Sequence, residues 1–208
     1  TTITTTAELV TFIDAVAHLP KVCEYINLPI QAGDDAVLEK MRRGYTRQDY
    51  LALVERIRET IPEVGLTTDI IVGFPGETTA QFKQTMDLVE QVGFDKAHIA
   101  MYSTRLGTYA ERKMEDDIPL EEKKRRHHAL EALQNSTAGE INSRLVGRTL
   151  EVLIESEKEG LWHGRTRSNK LVHIHGGNHR YGEVVPIEIT HASPFSLTGH
   201  TREPAGRQ

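Results

Sequence analysis

Cysteine is almost absent: Cys23 is the only one in 208 residues. An internal disulfide is therefore impossible, and a lone thiol fits a reducing compartment. Long apolar runs are missing too. No stretch of about 18 apolar residues occurs and no basic, apolar leader opens the chain, so neither membrane spanning nor export is read and a cytoplasmic location is expected. The GFPGET run lacks the lysine and closely spaced glycines of a P-loop, and Ser193, His191 and the aspartates form no ordered nucleophile elbow. A phosphate-loop enzyme is thereby made remote, and a hydrolase has no support.

What is present is unevenly charged. The formal net charge is −5. From Ser143 onward there are nine Lys/Arg against seven Asp/Glu, whereas the residues before it hold 16 against 23. His163, His173, His175, His179, His191 and His200 also fall in the later part, so mild acid makes it more positive. A polyanion is expected at this end.

The earlier part alternates strands and helices. Ala7 to Leu19 carries a helical stripe (Leu9, Val10, Ile13, Val16) stopped by Pro20. Val22 to Ile30 reads as a strand closed by Gln31-Ala32-Gly33-Asp34, whose aspartate can cap a helix holding Val37, Leu38 and Met41 and ending at Gly44. Thr46 opens another helix, with Tyr50, Leu53, Val54, Ile57 and Ile61 on one face and Pro62 as its stop.

The most informative run is Thr67 to Thr78, TTDIIVGFPGET. Ile70, Ile71 and Val72 make a short apolar run of the kind expected of a parallel strand covered on both faces. Gly73 removes the side chain at the strand end and so lets a ligand approach. Pro75-Gly76 suits a type II turn, and Thr78 with Gln81 makes a capping box. A helix then runs to Gly93, a third strand from about Lys96 to Tyr102 follows, and Ser103 to Thr108 forms a polar turn. Parallel strands with right-handed crossovers place these turns at one edge, where ligands bind in α/β sheets. Pro119 to about Leu145 reads as a long charged connecting helix.

After Gly147 the period becomes two. Thr149–Ile154, Leu161–Thr166, Lys170–His175, Glu183–Thr190 and Phe195–Thr201 are five short strands, and closing them into a small β-barrel removes their edges.

LPIQAGDD, MRRGYTRQDY, TDIIVGFPGET and YSTRLGT together resemble the C-terminal half of the radical S-adenosylmethionine (SAM) methylthiotransferases, nearest to the MiaB-type tRNA enzymes. GRTLEVLIE, GRTRSNKLVHI and SLTGHT resemble the TRAM β-barrel appended to them. The resemblance covers essentially everything after about Ala7. It implies half of a partial (β/α) barrel over residues 1–118, a connecting helix over 119–145, a five-stranded TRAM barrel over 146–203 and a tail over 204–208.

The resemblance also implies an enzyme that uses SAM and 4Fe-4S clusters to insert a methylthio group into a C–H bond of an isopentenylated adenosine beside the tRNA anticodon. Such a carbon is neither acidic nor electrophilic, so a cofactor must carry the hard step. The partners implied are SAM and the tRNA anticodon stem-loop, with no membrane, and a monomer when full length. The family's CxxxCxxC cluster loop has no counterpart here. This chain is therefore expected to hold no metal, to contribute no catalytic residue, and to be inactive alone as a fragment. Half a barrel should also leave an unpaired strand near the N-terminus.

By that resemblance Gln31, Gly33, Asp69, Ile71 and Gly73 are the cofactor-binding candidates; helix capping, a shape-determining turn and plain core are the competing roles. Glu77 is read equally as a partner of a helix dipole. Arg105 matches the arginine of the family's YSPRPGT, both prolines being replaced here by Thr104 and Leu106, so a less rigid loop is expected. Arg165, Arg167, Asn169 and Lys170 flank a turn between two barrel strands and are the RNA-binding candidates with Arg105. The run Lys123 to His128 reads more readily as a solvated face paired with Glu121, Glu122 and Glu131. Trp162, Tyr181 and Phe195 could stack bases, although core or half-buried roles compete. His173, His175 and His179 have no cysteine or placed carboxylate to complete a zinc site. Two rival functions are a non-catalytic RNA-binding fragment and a sibling methylthiotransferase acting on another tRNA adenosine or a ribosomal protein.

Overall fold

The computed structural model describes residues 6–201. The expected tail at 204–208 and the last residues of the expected barrel lie outside them. The chain divides into two compact units. One contains Ile26–Glu59 and Leu66–Thr137, and the other contains the residues up to Tyr25, Thr60–Gly65 and those from Ala138 onward.

The first unit is an α/β sheet. Strands β1 (Tyr25–Asn27), β2 (Gly65–Val72) and β3 (Lys96–Met101) lie in the order β1-β2-β3. Strands β2 and β3 pair in parallel from Thr67/Lys96 to Val72/Met101. Helices α2 (Asp35–Lys40), α3 (Arg47–Thr60), α4 (Thr79–Val92) and the short α5 (Tyr109–Lys113) alternate with them. Ile70 and Val72 are fully buried and point away from Asp69 and Ile71, as alternation in a strand requires. Among the described residues strand β1 lies at one edge of this sheet.

Local signals produced most of these elements. Asp34 caps α2 through Val37 N–H, Thr78 and Gln81 close a reciprocal capping box on α4, and Gly93 ends α4 in the left-handed region. The Phe74–Glu77 turn carries its i to i+3 hydrogen bond (2.9 Å) with Gly76 at φ 71°.

Two expectations need correction. The strand expected over Val22–Ile30 is only Tyr25–Asn27, because Pro29 has no N–H to pair and the carbonyls of Leu28, Pro29 and Ile30 accept from the hydroxyls of Tyr50 and Tyr45 instead. Helix α2 ends at Lys40, not at Gly44. Arg42 takes the left-handed position at φ 58°, and Arg43 N–H closes back on Leu38 C=O at 2.9 Å.

The other unit holds helix α1 (Thr6–His18) and a closed barrel of β4 (Thr149–Lys158), β5 (Leu161–Thr166), β6 (Leu171–His175), β7 (Val184–Ala192) and β8 (Leu197–Thr201). The strand order is β4-β5-β6-β8-β7, with β6 and β8 parallel. Val152, Ile154, Val172, Ile174, Ile187, Ile189 and Leu197 fill its interior, the inward half of each alternating strand. The long helix α6 runs Leu120–Ser143. No helix among the described residues is long and apolar enough to cross a membrane.

Candidate nucleoside-binding cavity

A cavity of about 760 Å³ opens in the α/β unit, lined by the exposed face of β2 and β3 and by the turns that follow β1 and β3. Of the residues lining it, Asp69 belongs to a hydrogen-bonded polar row. Thr67 Oγ1 donates to Asn27 Oδ1 at 3.0 Å, and Asn27 Nδ2 donates to Asp69 Oδ2 at 3.1 Å. The Asp69 carboxylate is thus held by its neighbour, with Ile71 one step further along the same face.

Gln31 closes one side. Its N–H donates to Asp69 C=O and its C=O accepts from Ile71 N–H, both at 2.9 Å, while its φ is +74°. A buried non-glycine residue held in the left-handed region is uncommon, and such strain concentrates at ligand sites. Gln31, Asp69, Ile71 and Arg105 all line the cavity.

Gly33 and Gly73 do not line it. A Cβ on Gly33 would meet the Thr85 backbone of α4 at 2.5 Å, and Gly33 N–H donates to Thr85 Oγ1 at 2.9 Å. At Gly73, with φ +69°, a Cβ would meet Lys123 Cγ at 2.5 Å. The close approach read for a ligand at Gly73 is made by a lysine stem of α6.

That helix fixes the GFPGET turn. Glu77 is buried, accepts Gly73 N–H at 2.7 Å and pairs with the buried Arg126 at 2.8 Å. Burial pushes the Glu77 carboxyl up, while the Gly73 N–H and the Arg126 guanidinium pull it down. Lys123 is buried as well and reaches Tyr102 C=O (3.2 Å) and the Asp116 carboxylate (2.7 Å). Lys123 and Arg126, two residues of the basic run on α6, are therefore structural rather than part of a solvated face. Three others are paired as expected: Lys124 with Glu121, Arg125 with Glu122, His127 with Glu131.

The turn after β3 is ordered without the family prolines. Thr108 Oγ1 donates to Arg105 C=O at 2.8 Å and caps α5 by accepting Glu111 N–H. The guanidinium of Arg42 lies 3.6 Å from the ring centroid of Tyr109. Arg42, Arg43 and Tyr109 line the cavity and escaped the sequence reading. The adjacent arginines of MRRGY were the available signal.

The barrel candidates are differently engaged. Arg167 clasps Glu24 with Nε and Nη2 (both at 2.7 Å) and also donates to Pro20 and Val22 carbonyls, which consumes most of its N–H groups. Arg165 bonds Asn169 C=O at 3.1 Å and pairs with Glu155 at 3.3 Å; Asn169 turns the β5–β6 hairpin at φ 63°. Lys170 caps the same turn through its backbone N–H to Thr166 Oγ1. Trp162 is partly buried against the barrel core, but Tyr181 and Phe195 are 81% and 75% exposed, contrary to the half-buried role favoured for them.

Two family models match parts of the chain. A model of the radical SAM superfamily matches residues 1–89, and a TRAM domain model matches residues 143–201. One chain thus matches both models, in that order. It is 50% identical over 190 residues to the tRNA-2-methylthio-N(6)-dimethylallyladenosine synthase of Chloroflexus aurantiacus, covering 90% of this chain and 41% of that protein. It is 48% identical over 185 residues to the protein of the same name from Dehalococcoides mccartyi, covering 89% and 44%. The chain thus spans less than half the length of these curated relatives. Among solved structures, coproporphyrinogen III oxidase from Escherichia coli, described as a radical SAM enzyme, superposes at a TM-score of 0.50 over 86% of this chain and 41% of that one. At 18% identity that likeness speaks for the fold alone.

The cavity residues suit a nucleoside: a held carboxylate for ribose hydroxyls, an apolar wall at Ile71, and aromatic rings at Phe74 and Tyr102. A 4Fe-4S cluster does not fit the residues present. It takes several thiolates, and the chain has Cys23 alone.

Proposed function

We propose that this chain is part of a radical SAM tRNA methylthiotransferase, which adds a methylthio group to an isopentenylated adenosine next to the anticodon. The single observation that carries the reading is the juxtaposition of Asp69, Gln31 and Ile71 in one cavity at the strand ends, in a chain that continues into a closed TRAM barrel. SAM, when bound, supplies the radical-forming nucleoside sulfonium. In this reading Asp69 holds the ribose, Ile71 walls the adenine, and Gln31 fixes the loop that closes on them. Gly33 and Gly73 serve the site by close packing.

The tRNA anticodon stem-loop is the proposed partner, met by Arg105 at the cavity and by the β5–β6 turn of the barrel, in a cytoplasmic protein. Because Cys23 cannot hold the cluster, this chain does not perform the reaction by itself. Deletion of the gene tests the assignment. Mass spectrometry of tRNA nucleosides should then show isopentenyladenosine accumulating without its methylthio group, and an unchanged nucleoside profile would refute the proposal.

A further inference from the structure

The arginines of this chain differ in how far they are engaged. Arg125, Arg126, Arg148, Arg165 and Arg167 are each within ion-pair distance of a carboxylate. Arg42, Arg43 and Arg105 are exposed, and among the described residues none has an ion-pair partner. All three line the same cavity, with Lys40 beside them and Asp69 as the lining carboxylate.

Unpaired cations repel one another, so their convergence needs a reason. Arg42 is also held in place twice: its backbone sits at φ 58° in the α2 terminator, and its guanidinium stacks on Tyr109 at 3.6 Å. A guanidinium stacked on a ring keeps its planar N–H fork free at the edge, the arrangement that grips a phosphate in two places.

We propose that Arg42, Arg43 and Arg105 form a phosphodiester-binding rim around the cavity, with Tyr109 as the positioning residue for Arg42, and that the ligand is the backbone of single-stranded RNA. The inference deepens the methylthiotransferase reading by assigning the RNA grip at the cavity to residues that neither the barrel turn nor the α6 basic run supplies. Leu106, 93% exposed, stands at the same loop and suits contact with unstacked bases.

Fluorescence anisotropy of the chain with a labelled single-stranded RNA, over a salt series, tests it. Arg42→Ala, Arg43→Ala and Arg105→Ala should each weaken binding by roughly three- to tenfold and lower the slope of log affinity against log salt by about 0.7. Tyr109→Ala should match Arg42→Ala, Tyr109→Phe should bind as the unaltered chain does, and the Arg42/Tyr109 double variant should lose no more than Arg42→Ala. Unchanged affinity and slope in the arginine variants, or no RNA binding by the unaltered chain, would overturn the rim. Binding an anticodon stem-loop no better than an unrelated stem-loop would instead count against the methylthiotransferase reading and leave the rim standing.

Discussion

At the scale of single residues, what matters is which charges are already engaged. Arg167 and Glu24 form a two-pronged pair, and hydrogen bonds from the Arg167 guanidinium hold the Glu24 carboxyl below its ordinary value. Arg167→Ala removes those bonds and leaves a half-buried carboxylate without its partner. It should lower stability by about 2 kcal/mol in urea unfolding at neutral pH, with only a minor change in the salt dependence of RNA binding. A variant as stable as the parent that has lost a full phosphate contact would show that Arg167 belongs to the RNA surface after all. Residue identity alone could not tell Arg167 from Arg105. The difference is made by Glu24, 143 residues away in sequence, and by the absence, among the described residues, of any such partner for Arg105.

Among the elements, α6 shows how a charged run can become a structural brace. Glu122 accepts from both Arg125 and Arg126, and these bonds depress its carboxyl to about 2. A carboxyl lowered in the folded state stabilises it above the unfolded value of 4.5, and that contribution fades as pH falls toward 2. Glu122→Gln should therefore be less stable than the parent at pH 7 and lose less further stability between pH 4.5 and 2, as thermal unfolding across that range would show. Equal acid sensitivity would mean the pair contributes nothing.

Capping boxes, turn glycines and alternating strands were legible because they depend on neighbours three or four residues apart. The burial of Lys123 and Arg126 was not, since it depends on Asp116, on the Tyr102 carbonyl and on Glu77, which α6 meets only after folding. The same holds for the shortened β1, whose carbonyls are taken by tyrosines from α3 and the loop before it. The positive φ of Gln31 has no sequence signal at all.

For the molecule as a whole, the sequence pattern located both the parallel sheet and the closed barrel, because each period change is written continuously along the chain. Gln31, Asp69, Ile71 and Arg105, singled out by resemblance, all line one cavity, while Arg42, Arg43 and Tyr109 emerged only from the folded arrangement. The central claim is that this cavity is built for the nucleoside of SAM. Isothermal titration of the chain with SAM tests it most directly: binding at one site, weakened about tenfold or more by Asp69→Ala, is the predicted result. No binding to the unaltered chain, or an affinity that survives Asp69→Ala intact, would contradict it.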